Sequence, residues 1–326
     1  MNNLINMRFT HLFFLFIVFI FLFSIFSYLN PIFMNPMNLH ILLRHFATMA
    51  LLAVGEAIII ISGCLDLSIG SMVALNGMIL AAMLTNIGMH WIIASLITLI
   101  FSVFIGLWHS FFINKFSPPL PSSIPSFLIT LITLTTARGI AQYMTSGFPI
   151  GIDVAQNEQL IFLGQGAILN IPIVFIILMI ASFLIYYLLN LTPIGKHIYA
   201  TGGNLEAAIA CGINYKLIRY ISFIVAGFIV GLTSIIITAR LTSAWPGTGS
   251  GYELEAIAAC ALGGISLSGG EGSLLGAIIG SLIMATIRIG LVTLEVSPYL
   301  HEIITGIVLF VAVAMNFIRQ MKLEKS

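Results

Sequence analysis

Two carboxylates, Glu56 and Asp66, stand within strongly apolar sequence and are the side chains best suited to chemistry in this chain. An ionised side chain at the centre of a bilayer costs at least about 2.5 kcal/mol, so each carboxylate needs a partner or water. We expect Glu56 and Asp66, with Ser68, Ser71 and Asn76, to line a polar path or to stabilise a broken helix. Asp66 or Ser68 can also accept hydrogen bonds from the N–H groups that open the following helix. The two interpretations are compatible.

A short internal repeat links these residues to the second half of the chain. Residues 63–70 and residues 263–270 share Gly, Leu, Ser and Gly in register. Interrupted helices at corresponding positions of two halves point to a transport site, so Gly70, Ser266 and Ser268 join the candidate path. The alternative is that glycine-rich turns between membrane helices resemble one another by chance.

Other catalytic and cofactor chemistry finds no support in the motifs. The glycine-rich residues 263–273 lack the Gly-Lys-Ser/Thr ending and the preceding strand of a phosphate-binding loop. Gly272, Gly276 and Gly280 instead predict close helix packing, because they recur on one helix face. The spacing typical of metal ligands or of a catalytic triad is absent from the histidines His109, His197 and His301 and from the cysteines Cys64, Cys211 and Cys260. The three cysteines are expected in the core. We predict neither an enzyme nor a cofactor or metal site.

A polar segment between two apolar stretches carries a complete set of helix signals. Asn204 is a good N-cap, Glu206 suits the first turn of a helix, and Gly212 suits its end. These residues predict a two-turn amphipathic helix between glycine breaks at Gly203 and Gly212. A purely structural surface helix has the same signals as one that contacts a partner, and both interpretations stay open.

The composition places the elements that carry these residues in a membrane. Of the 326 residues, 60% are hydrophobic and 7% are charged, against roughly 25% charged in soluble domains. The mean hydropathy is +1.13. A water-soluble fold is therefore excluded. With about 20 apolar residues per span, the chain accommodates about eight to twelve helices, which we assign to a single transmembrane domain over residues 1–326.

The apolar stretches predict an all-α, polytopic bundle of about ten spans with broken and short helices. They fall at residues 9–29, 41–63, 68–88, 91–113, 125–145, 168–190, 218–238, 254–267, 273–294 and 299–318. Short cytoplasmic loops collect Lys and Arg. We therefore predict that both termini lie in the cytoplasm. This orientation places the following basic residues on the cytoplasmic side: Arg8, Lys115, Lys196, Lys216, Arg219, Arg319, Lys322 and Lys325. The first stretch lacks a good cleavage site, so we expect an uncleaved span.

The chain resembles the permease subunits of bacterial ABC importers for monosaccharides of the ribose, xylose and arabinose type. Glu-Ala-Ala-xxx-Gly-Ile at residues 206–213 is similar to that family's cytoplasmic coupling helix. The other matches span nearly the whole chain and include residues 63–70, Pro125-Ser126-Phe127, Thr130-Leu131, Arg138-Gly139, residues 195–203, residues 262–280, Ser297-Pro298-Tyr299 and Gly306. Cys64 for Gly, Lys196 for Arg and a proline-rich loop at residues 117–125 are departures that leave the coupling sequence intact.

The resemblance implies a translocation path between two permease subunits, the second being another copy of the chain or a paralogue. ATPase subunits, which bind the ATP, would dock on residues 192–217, called the coupling segment below, and a periplasmic sugar-binding protein would deliver a pentose- or hexose-like sugar. The implied ATPase-coupling residues are Gly203, Asn204, Glu206, Ala207, Ala208, Gly212 and Ile213. The surroundings would be the lipid bilayer of the cell inner membrane, and no nucleic acid is expected.

Two other classes of function are alternatives to this interpretation. A secondary transporter driven by protons or sodium would use Glu56 and Asp66 as ion-coupling carboxylates. Residues 204–212 would then have no partner. A membrane-embedded enzyme would need a cluster of His, Cys and carboxylate side chains, which the spacing does not provide.

Overall fold

A computed structural model describes residues 2–117 and 125–324, with side chains at residues 12–117 and 125–314. Thirteen α-helices form most of this described part. They are α1 (Asn2–Leu29), α2 (Pro36–Ile61), α3 (Ile69–Thr85), α4 (Trp91–Phe116), α5 (Ser126–Tyr143), α6 (Glu158–Gln165), α7 (Ile173–Leu191), α8 (Pro193–Gly203), α9 (Leu205–Ala210), α10 (Tyr215–Leu241), α11 (Tyr252–Leu262), α12 (Leu274–Thr293) and α13 (Pro298–Glu324). Most of the proline-rich loop lies outside the described residues, as do the side chains of Arg8, Arg319, Lys322 and Lys325.

Extended structure in the described residues is confined to two pairs of two-residue strands, which confirms the predicted all-α fold. β1 (Ile150–Gly151) pairs antiparallel with β4 (Ser243–Ala244), and β2 (Ala167–Ile168) pairs antiparallel with β3 (Ile171–Pro172). A 3-10 helix, Pro31–Met34, joins α1 to α2. All four strands lie in connections between helices.

Six helices are long and apolar enough to cross a membrane, so the chain is a multi-pass membrane protein. They are α1 from Leu12 onward, α2, α4, α7, α10 and α12, and two shorter apolar helices are α3 and Pro298–Ala314 of α13. A helix coincides with each of the ten predicted spans, the short eighth one being the 11-residue α11. The number of crossings and the side of the termini remain predictions.

Helix α2 forms the centre of the bundle. Every residue from His45 to Ser62 is buried, and the helix packs against α7, α10, α11 and α12. A helix that is apolar on all sides needs neighbours on all sides. The surrounding helices meet that need.

Glycines bring α12 close to α11. Gly276 lies against Gly263, and Gly280 lies against Ala259, so a methyl group at either glycine of α12 would overlap the backbone of the other helix. Small residues four positions apart permit this approach of two backbones. The packing predicted from the glycine spacing is therefore confirmed for Gly276 and Gly280, whereas Gly272 lies before the start of α12.

Four of the described basic residues lie at the end of the bundle that carries α8 and α9. Lys115 lies at the end of α4, Lys196 in α8, and Lys216 and Arg219 at the start of α10. The α4 and α10 ends are neighbours, since Asn114 Nδ2 donates to the Lys216 carbonyl at 3.2 Å. Short cytoplasmic loops collect Lys and Arg, but Arg44, Arg240 and Arg288 form a second basic group, so the side of this end stays a prediction.

The cysteines correct one prediction. Cys64 and Cys260 are buried, and Cys260 Sγ lies 3.3 Å from the carbonyl oxygen of Ala53. Cys211 is exposed, because it follows α9 at the surface of the bundle. The prediction that all three are core residues is wrong for Cys211.

Candidate functional site

The coupling segment contains two helices where the sequence predicted one. α8 begins after Thr192, whose Oγ1 accepts from the Gly195 N–H at 3.3 Å, and it ends at Gly203. Gly202 and Gly203, predicted as a break, are therefore the last turn of a helix. The three glycines of α8 lower its helix propensity, so the sequence did not predict this helix. Pro193 directly after an N-capping threonine was the signal that could have found it.

Helix α9 has the ends that the sequence predicted. Asn204 Oδ1 accepts from the Ala207 N–H at 2.9 Å, Glu206 lies in the first turn, and Gly212 has a φ of +80°. The helix has six residues, fewer than the two turns predicted. So short a helix is not stable by itself, and its caps and its neighbours hold it in place.

One face of α9 rests on the bundle and the other is uncovered. Ala208 is only 4% exposed, and its carbonyl accepts from the Ile213 N–H at 3.0 Å. Glu206, Ala207 and Ile209 are exposed. The segment thus presents small, apolar and acidic side chains at its end of the bundle.

Backbone contacts join the end of α8 to both helix breaks. The Gly270 N–H, in the loop after α11, donates to the carbonyl of Ile61 at the end of α2, at 2.9 Å. Gly202 lies against both groups, and a Cβ there would overlap them. Gly63 packs on Gly202, and Gly269 packs on Gly63. We call this set the glycine junction: Gly63, Gly202, Gly203, Gly269 and Gly270.

The two helix breaks share a backbone geometry, although the sequence repeat placed them one residue out of register. Gly63 has a φ of +84° and Gly264 a φ of +79°. After each glycine, the next N–H donates to the carbonyl five positions earlier, at 3.1 and 3.0 Å. This is a common helix ending that requires a positive φ. Gly63 therefore corresponds to Gly264, and its predicted alignment with Gly263 is wrong.

Glu56 and Asp66 stabilise the first helix break. Glu56 Oε1 accepts from the Asp66 N–H at 3.1 Å. Asp66 Oδ1 accepts from the N–H and the hydroxyl of Ser68, at 2.7 and 2.6 Å. Asp66 is thus an acceptor at the opening of α3, whereas the Ser68 side chain makes no cap bond of its own. Of the two acceptors that the sequence allowed, the structure uses Asp66.

Side chains from α4 and α5 join Glu56, Asp66 and Ser68 in a buried polar cluster, which we call the polar core. His109 Nδ1 lies 3.6 Å from Asp66 Oδ2, and His109 Nε2 lies 2.8 Å from Thr133 Oγ1. Thr130 Oγ1 accepts from the Leu67 N–H at 3.1 Å. His109 was predicted to stand alone, and the fold pairs it with Asp66. An ionisable residue inside an apolar span was the signal for a partner.

Comparison with known proteins places this architecture among transport permeases. The family described as "Branched-chain amino acid transport system / permease component" matches residues 38–313. The chain belongs to this family. It is 37% identical over 296 residues to the ribose import permease protein RbsC of Haemophilus influenzae, with 90% of each chain covered.

Further relatives of the permease have similar coverage. RbsC of Bacillus subtilis is 36% identical over 287 residues, which is 88% of this chain and 87% of the relative. The xylose transport system permease protein XylH of Escherichia coli is 28% identical over 344 residues, with 87% and 86% covered. No solved structure matches the chain. The resemblance to permeases of monosaccharide importers is confirmed.

The other predicted path residues of the permease lie in two places. Asn76 is buried in α3, and its Nδ2 donates to Ser102 Oγ at 3.0 Å, which in turn donates to the Gly227 carbonyl at 2.7 Å. This chain of bonds links α3, α4 and α10. Ser266 is buried and Ser268 exposed in the loop that carries Gly269 and Gly270, so these two serines accompany the glycine junction.

Gly70 leads to a carboxylate that sequence reasoning missed. In the first turn of α3, Gly70 lies against the Gly249 carbonyl and the Glu253 carboxylate, so the connection from α10 to α11 folds back into the bundle. Glu253 Oε2 is buried without a hydrogen-bond partner among the described residues, and Arg138 is the nearby positive charge. An acidic first turn on a short apolar helix could have identified Glu253.

An ion pair joins α11 to α12. The Arg288 guanidinium donates to the Glu255 carboxylate, with the two side chains 33% and 6% exposed. The same guanidinium lies over the Tyr252 ring, 5.8 Å from its centroid. These contacts fix the rotation of the short α11 relative to α12.

Proposed function

We propose that the chain is the membrane-spanning subunit of an ATP-binding-cassette importer that translocates a monosaccharide across the cytoplasmic membrane. The observation that carries the proposal is the position of α9. This helix is exposed on one face, and α8 connects it directly to the glycine junction, where the end of α2 meets the loop between α11 and α12. The similarity to ribose and xylose permeases supports a monosaccharide as the substrate.

The coupling segment would contact a separate ATPase subunit, which binds the ATP, so this chain needs no cofactor and catalyses no reaction itself. Closure of the ATPase dimer would displace α9 and, through α8, Gly202. Gly202 lies in backbone contact with Ile61 and Gly270, and no flexible side chain stands between them. The displacement would therefore reach α2 and the loop between α11 and α12 together, as in the rigid movements of other switching proteins.

The polar core has a supporting role in this proposal. Glu56, Asp66, Ser68 and Asn76 are at most 6% exposed, and each makes at least one hydrogen bond to the breaks and helices around it. They would hold the broken helices in shape. The path itself would lie at the interface with a second permease, a copy or a paralogue, and a periplasmic binding protein would deliver the sugar to the end opposite α9.

Co-purification with the ATPase subunit tests this proposal. Glu206→Arg reverses the charge on the exposed face of α9, and Gly212→Pro imposes a negative φ where the chain has +80°. Both variants should lose the ATPase and the uptake of sugar. The matched control is Glu158→Arg, because Glu158 is also exposed in the first turn of a helix, α6, away from the coupling segment.

The control variant should retain the ATPase and the uptake. Retention of the ATPase by both α9 variants would refute docking on the coupling segment. Uptake that continues in the complete absence of any ATPase would refute the importer itself and favour a transporter driven by an ion gradient.

A further inference from the structure

An open cleft lies at the end of the bundle opposite α9. It has a volume of about 490 Å3 and is lined by the following residues: Gln142, Tyr143, Ser146, Gly147, Trp245, Pro246 and Gly247. The 27-residue α10 separates α9 from Trp245, which is about 40 Å at 1.5 Å per residue. The volume is within the roughly 300–1,000 Å3 typical of small-molecule sites.

The two walls of the cleft are held together by backbone and side-chain bonds. β1, after Gly147, pairs with β4, before Trp245, through Ile150 and Ala244. Arg138 Nη1 donates to the carbonyls of Pro246 and Thr248, at 2.5 and 2.8 Å. The cleft is therefore a preformed feature of the fold.

Its aromatic side chains are exposed, and Trp245 is also held in place. Trp245 is 53% exposed and Tyr143 is 89% exposed. The six-membered ring of Trp245 lies on Gly247, where a Cβ would overlap three ring atoms. Contact with this backbone fixes the indole, and about half of the side chain remains available to a ligand.

The chemistry of the lining favours a neutral, polyhydroxylated ligand. Aromatic faces carry partial negative charge and attract the weakly positive C–H groups on the flat face of a sugar ring. The Gln142 amide and the Ser146 hydroxyl each donate and accept, as sugar hydroxyls require. None of the seven lining residues is charged, so an amino acid zwitterion would find no counter-charge among them.

We propose that this cleft is a binding site for a monosaccharide, used when the sugar passes from outside into the permease. The inference rests on the proposed import function and adds a location and named residues. Trp245 and Tyr143 would stack against the sugar, while Gln142 and Ser146 would bond to its hydroxyls. Arg138 is a positioning residue, since its guanidinium shapes the wall at Pro246.

Tryptophan fluorescence tests the site directly. The chain has three tryptophans, and Trp91→Phe with Trp108→Phe leaves Trp245 as the only one. The assembled transporter in nanodiscs is titrated with D-ribose, D-xylose and L-leucine. We expect a saturable change in Trp245 emission with a monosaccharide at millimolar concentration, a weak affinity of about 4 kcal/mol, and none with leucine. An equal response to leucine, or no response to either sugar, would overturn the proposal.

Uptake kinetics provide a second readout in the chain that keeps all other tryptophans. Trp245→Ala and Tyr143→Ala should raise the half-saturating sugar concentration several-fold, and Trp245→Phe should restore most of the loss. Tyr28→Ala is the matched control, since Tyr28 is 88% exposed at the end of α1 and outside the cleft. Equal defects in the Tyr28 and Trp245 variants would indicate contact with lipid headgroups and contradict a sugar site.

The two proposals fail in different ways. ATP-dependent uptake by the unsubstituted chain is measured in parallel. If that uptake is present and Trp245 neither responds to sugar nor affects uptake, the cleft proposal alone is wrong. If the unsubstituted complex shows no ATP-dependent uptake, the import function is wrong.

Discussion

The amide of Gly270 donates a hydrogen bond to the carbonyl of Ile61 at 2.9 Å, between residues more than two hundred positions apart. Gly202 packs across this bond and so joins the coupling segment to the end of α2 and to the loop between α11 and α12. A contact made of backbone atoms cannot absorb a displacement by changing side-chain rotamers. In our account, the glycine junction transmits the movement of α9.

Gly202→Ala should damage transport strongly. The added methyl group would overlap the Ile61 carbonyl, and overpacking of this kind costs about 1–3 kcal/mol. We expect the variant to insert in the membrane and to bind the ATPase. An increase of about 1.4 kcal/mol in the barrier of the transport step slows that step about tenfold, so we expect sugar uptake to fall at least about tenfold. Uptake in vesicles and ATPase co-purification are the measurements.

Gly306→Ala is the matched control for this prediction, because a Cβ at Gly306 in α13 meets nothing within 4 Å. It should leave uptake unchanged. If Gly202→Ala transports as well as Gly306→Ala, close backbone packing at the junction is not required for coupling.

Asp66→Asn separates a structural carboxylate from an ion-coupling one. Asparagine keeps an acceptor oxygen for the Ser68 N–H and hydroxyl, whereas Asp66→Ala loses both bonds and leaves buried donors unpaired, at about 1–3 kcal/mol each. We expect Asn to retain most uptake and Ala to lose thermal stability and uptake. Loss of uptake in the Asn variant, at unchanged thermal stability, would support a coupling ion and contradict our assignment.

Removing only Arg288 from the Glu255–Arg288 pair should destabilise the fold more than replacing both residues. Arg288→Met leaves Glu255 buried without its partner, and breaking a buried pair costs about 3–5 kcal/mol. Because the Arg288 side chain is partly exposed, we expect a loss of stability near the lower end of this range, about 3 kcal/mol. The double variant Glu255→Gln, Arg288→Met should recover stability in a thermal melt. A double variant that is less stable than Arg288→Met would show that the pair is not the source of the effect.

Asn204→Ala should weaken the contact with the ATPase by loosening α9. The variant loses the 2.9 Å bond to the Ala207 N–H, and loss of a cap costs about 1 kcal/mol. We expect a several-fold lower affinity for the ATPase, with normal membrane insertion. Asn204→Ser, which restores a capping oxygen, should recover the affinity. Equal affinities of all three chains would show that the cap has no role in docking.

The helices and the cap residues were predictable because their signals are local. The apolar stretches located ten of the thirteen described helices. Asn204, Glu206 and Gly212 defined the ends of α9 correctly. The missed helix α8 shows the limit of such signals. Its glycines are unfavourable in a helix, but they are needed where Gly202 meets Ile61 and Gly270. Tertiary packing selected residues that local propensity disfavours.

The composition of the polar core was less predictable because it depends on contacts between distant elements. Glu56 and Asp66 were recognisable as costly charges in apolar sequence, while the roles of His109, Thr130 and Glu253 appear only when α4, α5 and α11 surround α3. The offset between Gly63 and Gly264 has the same origin. Sequence letters aligned the repeat one residue away from the backbone geometry that the two breaks share.

Sugar uptake by proteoliposomes tests the central claim most directly. The permease is reconstituted with its ATPase subunits and the cognate binding protein, and accumulation of radiolabelled ribose or xylose is measured with ATP on the ATPase side. Our account predicts accumulation that requires both ATP and the ATPase, and that Glu206→Arg abolishes while Glu158→Arg does not. Accumulation driven by a proton or sodium gradient without the ATPase would contradict it.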